Sequence, residues 1–345
     1  MEKCIALHII KENGKTVLTK DMSNMIKGIA VLMMLAHHLW GFPSRIQAIS
    51  MPSICVQIGE AFKICVTIFM FLSGFGLYAT WKSHRCLNVW KRVWNTYRNF
   101  WRVFWIFVPV GLLFYGVDFH IGEFFGNLFC LTYSYNHEWW FLGTYIELLM
   151  VLPWILKFEH KRIFLFFVVL SAVAFRASAE ILFTSSGGVL QHLFNFGYYF
   201  PAFMLGVLFA KWELYEHLVI KFKAKKSFCL CVMVIVFCLL IRKKFDETAM
   251  TIVMVPAVIY VLSVVMNIVK KANVMFRTMG KHSMNMWLIH SFFIYYYWQD
   301  LFVVITHNAI VAYLMLIILS YFSSIVINSF WNMVNFGVDK LMRKR

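Results

Sequence analysis

Two adjacent histidines, His37 and His38, lie in the apolar stretch MIKGIAVLMMLAHHLWGF, residues 25–42. Its length and hydrophobicity predict a membrane-spanning helix, where an ionisable side chain is costly and marks a functional site by default. Lys27 precedes His38 by eleven residues, a spacing that returns a helix to the same face about 16 Å further along. The stripe predicts a cation at one membrane surface and an imidazole near mid-membrane. The alternative is a histidine that hydrogen-bonds a neighbouring helix.

Three other apolar stretches also carry polar side chains that could do chemistry. Glu147 lies in HEWWFLGTYIELLMVLPW, Asn285 and His290 lie in MGKHSMNMWLIHSFF, and Ser73 lies in ICVTIFMFLSGFGLYATW. A buried carboxylate must be protonated, paired or hydrated. Glu147 could therefore partner His38, His290 or a purely structural neighbour, and the sequence does not choose among them.

Basic residues follow a helical spacing in WKRVWNTYRNFWRVFW, residues 90–105. Lys91, Arg98 and Arg102 fall at i, i+7 and i+11, on one face of a helix that enters the membrane. Arginine pairs bidentately with phosphate, so this face could clamp an anionic ligand. The alternative is ordinary basic charge that binds lipid headgroups.

The segment 118–138 contains three carboxylates, no lysine and no arginine, and it is rich in aromatic residues. It predicts an outward-facing, partly embedded loop. Aromatic rings and polar groups together can stack on a sugar and hydrogen-bond it, and we take His137, Glu138 and Trp139, together with His37, as candidate substrate-binding residues. The alternative is an interfacial aromatic belt.

The composition places these residues in a membrane protein. The chain has 345 residues, of which 61% are hydrophobic and 14% are charged, whereas soluble domains are about 25% charged. We predict an all-α integral membrane protein of one domain, residues 1–345, with an N-terminal segment 1–23, a helical bundle 24–336 and a basic tail 337–345. The ten predicted spans are 24–42, 60–81, 99–117, 139–156, 162–183, 196–212, 227–241, 249–268, 282–299 and 308–336.

The distribution of basic residues predicts the orientation. If both termini are cytoplasmic, 27 of the 33 Lys and Arg residues lie on the cytoplasmic side, as the positive-inside rule requires. The cluster Arg242–Lys244 violates the rule and leaves the topology of residues 227–268 open. The net charge of +17 is explained by topology, so it does not indicate nucleic-acid binding. The eight cysteines show no metal-type spacing, and we predict neither a metal site nor a disulfide framework.

Four of these stretches, in this order, resemble acyltransferase family 3, which comprises integral-membrane enzymes of about ten spans that O-acetylate bacterial cell-surface glycans. The resemblance rests on the Lys27–His38 stripe and on IFMFLSGFGLY, HEWWFL and GKHSMNMWLIH. The chain departs from the family in two places. Lys27 stands where the family usually has arginine, and Arg98 and Arg102 have three residues between them where the family has a closer arginine pair. Lys91 and Arg92 are substitutes for that pair.

The resemblance implies an acetyl-coenzyme A donor that is used as a substrate, with no bound cofactor. Lys27, Arg98, Arg102 and Lys91 would hold its phosphates, and His38 would take the proton of an acceptor hydroxyl. Ser73, Asn285 or His290 could stabilise the oxyanion, and Glu147 remains a catalytic candidate. A covalent acetyl-His38 or acetyl-Ser73 intermediate and direct transfer are both open.

The partners expected from this interpretation are acetyl-coenzyme A, a surface or lipid-linked glycan and membrane lipids, in a multi-pass protein of the bacterial inner membrane. The acceptor sugar, the acyl group and a homo-oligomeric state are not determined by the sequence. One alternative is a transporter of a small anionic or sugar substrate that uses a His/Glu proton relay. Another is an inactive family member with a sensing or scaffold role.

Overall fold

The computed structural model describes residues 18–46, 49–159, 163–182, 188–241, 244 and 247–342. Within these ranges the chain is helical and contains no β-strand, as the composition predicts. The helices are α1 (Lys20–Trp40), α2 (Ser53–Ala61), α3 (Ile64–His84), α4 (Val89–Phe114), α5 (Ile121–Leu128), α6 (Trp140–Lys157), α7 (Ile163–Leu182), α8 (Gly188–Lys211), α9 (Leu214–Ile241), α10 (Glu247–Ile268), α11 (Asn273–Ser291), α12 (Gln299–Ile305) and α13 (Ala309–Met342).

Each of the ten predicted spans overlaps at least one helix, but fewer helices qualify as spans by length and hydropathy. Within the described residues six helical stretches meet both criteria, or seven if a bent pair counts as one span. That bent pair joins Asn273–Tyr296 to Gln299–Ile305 at 82°. The number ten and the side of each terminus therefore remain predictions. Arg242 and Lys243, the main exception to the charge rule, lie outside the described residues.

The chain forms two compact units. The first contains the described residues of 1–30, 63–91 and 141–281, and the second contains those of 31–62, 92–140 and 282–345. Several helices thus contribute residues to both units, since the divisions fall inside α1, α4, α6 and α11.

In the first unit α3 and α8 pack backbone against backbone. A Cβ atom on Gly74 would lie 2.0 Å from the carbonyl oxygen of Phe203, and one on Gly206 would lie 2.1 Å from that of Phe71. Only glycine fits at such distances, so the SGFG segment of α3 serves helix packing at Gly74. Gly76, by contrast, has open space around its Cα.

A buried carboxylate ties the ends of several helices together in the same unit. Glu159 accepts hydrogen bonds from the hydroxyl of Tyr78 at 2.9 Å, the indole of Trp81 at 3.0 Å and the guanidinium of Arg85 at 2.5 Å. Lys211 donates to its backbone carbonyl at 2.6 Å. A buried charge requires such compensation, so Glu159 fixes the ends of α3 and α8 near the chain that follows α6.

The second unit has an aromatic core. Phe107 stacks on Phe292 with ring centroids 4.5 Å apart, and Trp139 packs edge-on against Phe100 at 4.9 Å. The indole of Trp139 donates to the carbonyl of Leu288 at 3.0 Å. Because aromatic pairs have preferred geometries, this core fixes the residues before α6 against the end of α11.

Candidate active site

The second unit brings His38, Glu138 and Arg45 together. Nδ1 of His38 lies 3.4 Å from Oε2 of Glu138, and Nη1 of Arg45 donates to Oε1 of the same carboxylate at 2.8 Å. The side chains of His38 and Glu138 are 12% and 8% exposed, whereas Arg45 is 36% exposed. The three groups form a chain that runs from a partly open guanidinium, through a buried carboxylate, to an almost buried imidazole.

Arg45 is held by residues that follow α11. Its guanidinium carbon lies 3.4 Å from the centre of the Tyr295 ring, which is a cation–π contact. Gln299 donates to the backbone carbonyl of Arg45 at 2.7 Å. Burial acts to lower the pKa of Arg45, but Tyr295 and Glu138 together raise that pKa above its ordinary value. The guanidinium therefore keeps the charge that Glu138 needs.

Glu138 is positioned by its neighbours in the sequence. Asn136 caps the short 3₁₀ turn His137–Trp139 by accepting from the backbone N–H of Glu138 at 3.0 Å. The amide of Asn136 also donates to Ser291 at 2.7 Å. Trp139 is 1% exposed in the aromatic core. The carboxylate thus lies between two anchored residues, which limits its freedom.

His290 contributes a second imidazole to the site. Its ring centroid is 4.8 Å from that of His38, and the residue is fully buried. Nδ1 of His290 lies 2.6 Å from the carbonyl of Trp287, which can only accept, so Nδ1 carries the hydrogen. Nε2 is then a bare acceptor in the neutral ring, and it has no hydrogen-bond partner. In this tautomer Nε2 cannot donate to an oxyanion, which argues against one of the roles considered from sequence.

A π-helical turn positions the residues after His290. It spans Phe292–Tyr296, and the 82° bend to α12 follows it. Such turns often occur at functional sites. The hydroxyl of Tyr295 donates to the backbone carbonyl of His38, and the hydroxyl of Tyr296 accepts from the backbone N–H of His137. The turn therefore contacts the chain at both His38 and the 3₁₀ turn that holds Glu138.

His37 faces a different neighbour from His38. Its Nδ1 lies 2.8 Å from the carbonyl of Gly59 in α2. A Cβ atom on Gly59 would lie 2.5 Å from the backbone nitrogen of Gly41, so the two chain segments meet where side chains do not fit. His37 thus joins α1 to α2 at this contact. His137, also proposed from sequence for substrate binding, has an exposed side chain.

Other candidates from the sequence have local partners. Ser73 lies in the first unit, where its hydroxyl donates to the carbonyl of Phe69 at 2.7 Å. Glu147 also lies in the first unit and pairs with Nδ1 of His192 at 2.5 Å, a partner that sequence reasoning did not consider. The amide of Asn285, in the second unit, donates to Asn328 at 3.1 Å.

The basic residues considered for donor binding lie on α1 and α4. Lys27 is half-buried on α1, the helix that also carries His38. α4 carries all three others, and Lys91 and Arg98 are exposed while Arg102 is half-buried. Arg98 and Arg102 are one helical turn apart, so their side chains are neighbours on the same surface. Their role in binding the acyl donor therefore stays a prediction.

Sequence reasoning missed Arg45 and Tyr295. It counted Arg45 among the six basic residues on the side where the charge rule expects few. That exception was the available signal, because a cation that violates the topological preference requires a local reason. Tyr295 gave no such signal within the aromatic run FFIYYYW. The sequence predicts a sugar-binding role for Glu138, and the structure adds a contact of its carboxylate with His38.

The arrangement has the components of general-base catalysis. If Nδ1 of His38 bears its hydrogen and faces Glu138, Nε2 is free to accept a proton from a reactant. The carboxylate stabilises the imidazolium that forms, and Arg45 holds the carboxylate in place through its hydrogen bond. Such a site activates a hydroxyl for attack on an acyl group.

Comparison with known proteins agrees with this chemistry. A family model described as an acyltransferase domain matches residues 23–329, which is most of the chain. The chain therefore belongs to acyltransferase family 3. With its long apolar helices, it is a multi-pass membrane acyltransferase. No curated protein and no solved structure gave a significant match.

Proposed function

We propose that the protein is an O-acetyltransferase that moves an acetyl group from cytoplasmic acetyl-coenzyme A to a hydroxyl of an extracytoplasmic or lipid-linked surface glycan. The observation that carries the proposal is the contact of His38 with Glu138, which Arg45 holds in place. A hydroxyl is a poor nucleophile until a base takes its proton, and this pair provides the base.

The reaction proceeds by direct transfer. Nε2 of His38 takes the proton from the acceptor hydroxyl while the oxygen attacks the thioester carbonyl carbon. The carbon–sulfur bond then breaks, and the imidazolium returns its proton to the departing thiolate, so coenzyme A leaves as a free thiol. Glu138 stabilises the imidazolium between these two steps.

The donor and the acceptor use different residues. Lys27, Lys91, Arg98 and Arg102 bind the phosphates of acetyl-coenzyme A, since charge-assisted hydrogen bonds to phosphate are strong. The acidic, aromatic segment 118–138 binds the glycan. We further propose that the protein lies in a bacterial inner membrane, with donor and acceptor approaching from opposite sides.

The experiment compares His38→Ala with wild type in purified, reconstituted protein. Release of free thiol from acetyl-coenzyme A is measured with and without a surface glycan extract. The acetylated product is identified from its mass by mass spectrometry. We expect at least a 100-fold loss of turnover in His38→Ala. His307→Ala is the matched control because His307 is exposed.

Each outcome separates the proposal from its main alternative. Full thiol release by His38→Ala would overturn the role of His38. Substrate uptake into vesicles by wild-type protein, with no consumption of acetyl-coenzyme A, would instead support a transporter. Thiol release with transfer to an acceptor other than a glycan would retain the acyltransfer chemistry and reject the acceptor.

A further inference from the structure

The helix α9 is interrupted at Lys223. This residue has φ 60° and ψ 157°, a backbone conformation that residues other than glycine rarely adopt. The hydroxyl of Ser227 shares its one hydrogen between the carbonyl of Lys223 at 2.8 Å and that of Leu218 at 3.1 Å. This shared bond reaches the carbonyl at the break and one that precedes it. The Ser227 side chain therefore stabilises the break. The charged residues of α9 all lie before Ser227, and the residues after it are apolar.

Four lysines surround this break in the segment KFKAKK. Lys221, Lys223, Lys225 and Lys226 are all exposed. The ion pairs found in the described part of the chain include none of the four. The orientation predicted by the charge distribution places them on the cytoplasmic side. A cluster of this size beside a span attracts anionic lipid headgroups.

An apolar groove of about 420 Å³ lies beside the same helix. Its walls come from α8, α9 and α10, and they include Phe209, Leu218, Leu230, Val234 and Ile252. The hydroxyl of Tyr215, which also lines the groove, donates to the carbonyl of Pro256 at 2.9 Å. Because that hydroxyl already has a hydrogen-bond partner, the groove can hold a hydrocarbon chain without leaving a polar group unpaired.

The groove and the lysines are adjacent along α9. Leu218 precedes the four lysines and Leu230 follows them, both lining the groove. Leu230 is four residues beyond Lys226, which is about 6 Å along a helix axis. One amphipathic molecule with an anionic head and a hydrocarbon tail can therefore contact both features. All these residues belong to the first unit.

We propose that this is a binding site for an anionic phospholipid, with one acyl chain in the groove and its phosphate at Lys221, Lys225 and Lys226. Charge complementarity selects an anionic headgroup, and the all-apolar wall selects a hydrocarbon chain. The site is independent of the acetyl-transfer chemistry, because it is defined by binding in a region that contributes none of the residues proposed for catalysis.

The test measures lipid binding to the full-length protein by native mass spectrometry. The probes are phosphatidylglycerol, phosphatidylcholine and diacylglycerol of the same chain length. We expect wild type to retain phosphatidylglycerol preferentially. Replacing Lys221, Lys225 and Lys226 by Gln should weaken that binding tenfold or more and remove the preference over phosphatidylcholine. The matched control replaces Lys20, Lys271 and Lys281, three exposed lysines of the same unit, by Gln.

A second pair of variants tests the groove. Val234→Trp fills it with a large side chain, and Leu230→Phe fills it more mildly in case the first variant fails to fold. Both should reduce phosphatidylglycerol binding while the lysines are intact. Unchanged preference in the triple-Gln variant, equal retention of diacylglycerol, or unaffected binding in a folded groove variant would each overturn the proposal. Retention measurements need no enzymatic turnover, so this result is separate from that of the His38 experiment.

Discussion

Nδ1 of His38 lies 3.4 Å from Oε2 of Glu138, although one hundred residues separate them in the chain. Nδ1 makes no hydrogen bond of standard geometry, and the Glu138 carboxylate faces it as an ion-pair partner. The pairing gives the imidazole a defined orientation and leaves its other nitrogen for a reactant.

Replacing Glu138 by Gln should lower kcat by roughly 10²–10⁴-fold, the range that general-base catalysis supplies. Gln keeps the size of the side chain but removes the charge that stabilises the imidazolium. Steady-state thiol release from acetyl-coenzyme A measures the effect. Asp300→Asn, at an exposed carboxylate of the same unit, is the control. A Glu138→Gln enzyme with wild-type kcat would show that the carboxylate charge has no part in catalysis.

Replacing Arg45 separates its charge from its planar shape. Arg45→Met removes the cation and should lower kcat at least tenfold, because the buried carboxylate loses the partner that compensates and positions it. Arg45→Lys keeps the charge but loses the planar stack on Tyr295, so an intermediate kcat is expected. Tyr295→Phe keeps the ring and serves as the comparison. Equal rates in all three variants would contradict a positioning role for Arg45.

Two variants of His290 test which ring nitrogen matters. Asn can reproduce the Nδ1 donor to Trp287, whereas Gln places an acceptor near the position of Nε2. If the unpartnered Nε2 contacts a reactant, His290→Gln should retain at least tenfold more activity than His290→Asn. Thermal unfolding of both variants controls for stability. The reverse order of activities would mean that His290 acts only through its bond to the Trp287 carbonyl.

Lys27→Gln tests the proposed phosphate contact. Loss of a charged hydrogen bond costs about 1.5–3 kcal/mol, which corresponds to a KM for acetyl-coenzyme A raised by roughly 10- to 100-fold. Acetyl-pantetheine lacks the nucleotide phosphates, so its KM should not change. Lys20→Gln, an exposed residue of the same helix, is the control. A parallel rise of KM for both donors would place Lys27 away from the phosphates.

Glu159→Gln should destabilise the folded protein by roughly 1.5–3 kcal/mol, since it removes charge-assisted hydrogen bonds from Arg85, Tyr78 and Trp81. Unfolding in mixed micelles, followed by tryptophan fluorescence, measures the change. Glu60→Gln, at an exposed carboxylate, should leave the midpoint unaltered. An unshifted midpoint in Glu159→Gln would mean that the hydrogen bonds, and not the charge, hold these helices.

The sequence predicted the helical membrane class and the approximate positions of the long helices, which follow from the length of the apolar runs. The family followed from a resemblance in four short, ordered stretches. All of these are local properties of the chain. His38 and His290 could also be recognised from sequence as candidate catalytic residues, because an ionisable side chain is rare in an apolar run.

Tertiary structure alone decided which of these polar residues meet. Glu147, expected to face a histidine of the site or a structural neighbour, pairs with His192, while Glu138 contacts His38 and is held by Arg45. The pairing of His38 with Glu138 depends on how the helices are rotated and on the packing of Trp139 and Phe292. The hydropathy pattern of the sequence predicts neither. The physical reason is that burial makes each polar group take a partner, but only the packed helices determine which partner is within reach.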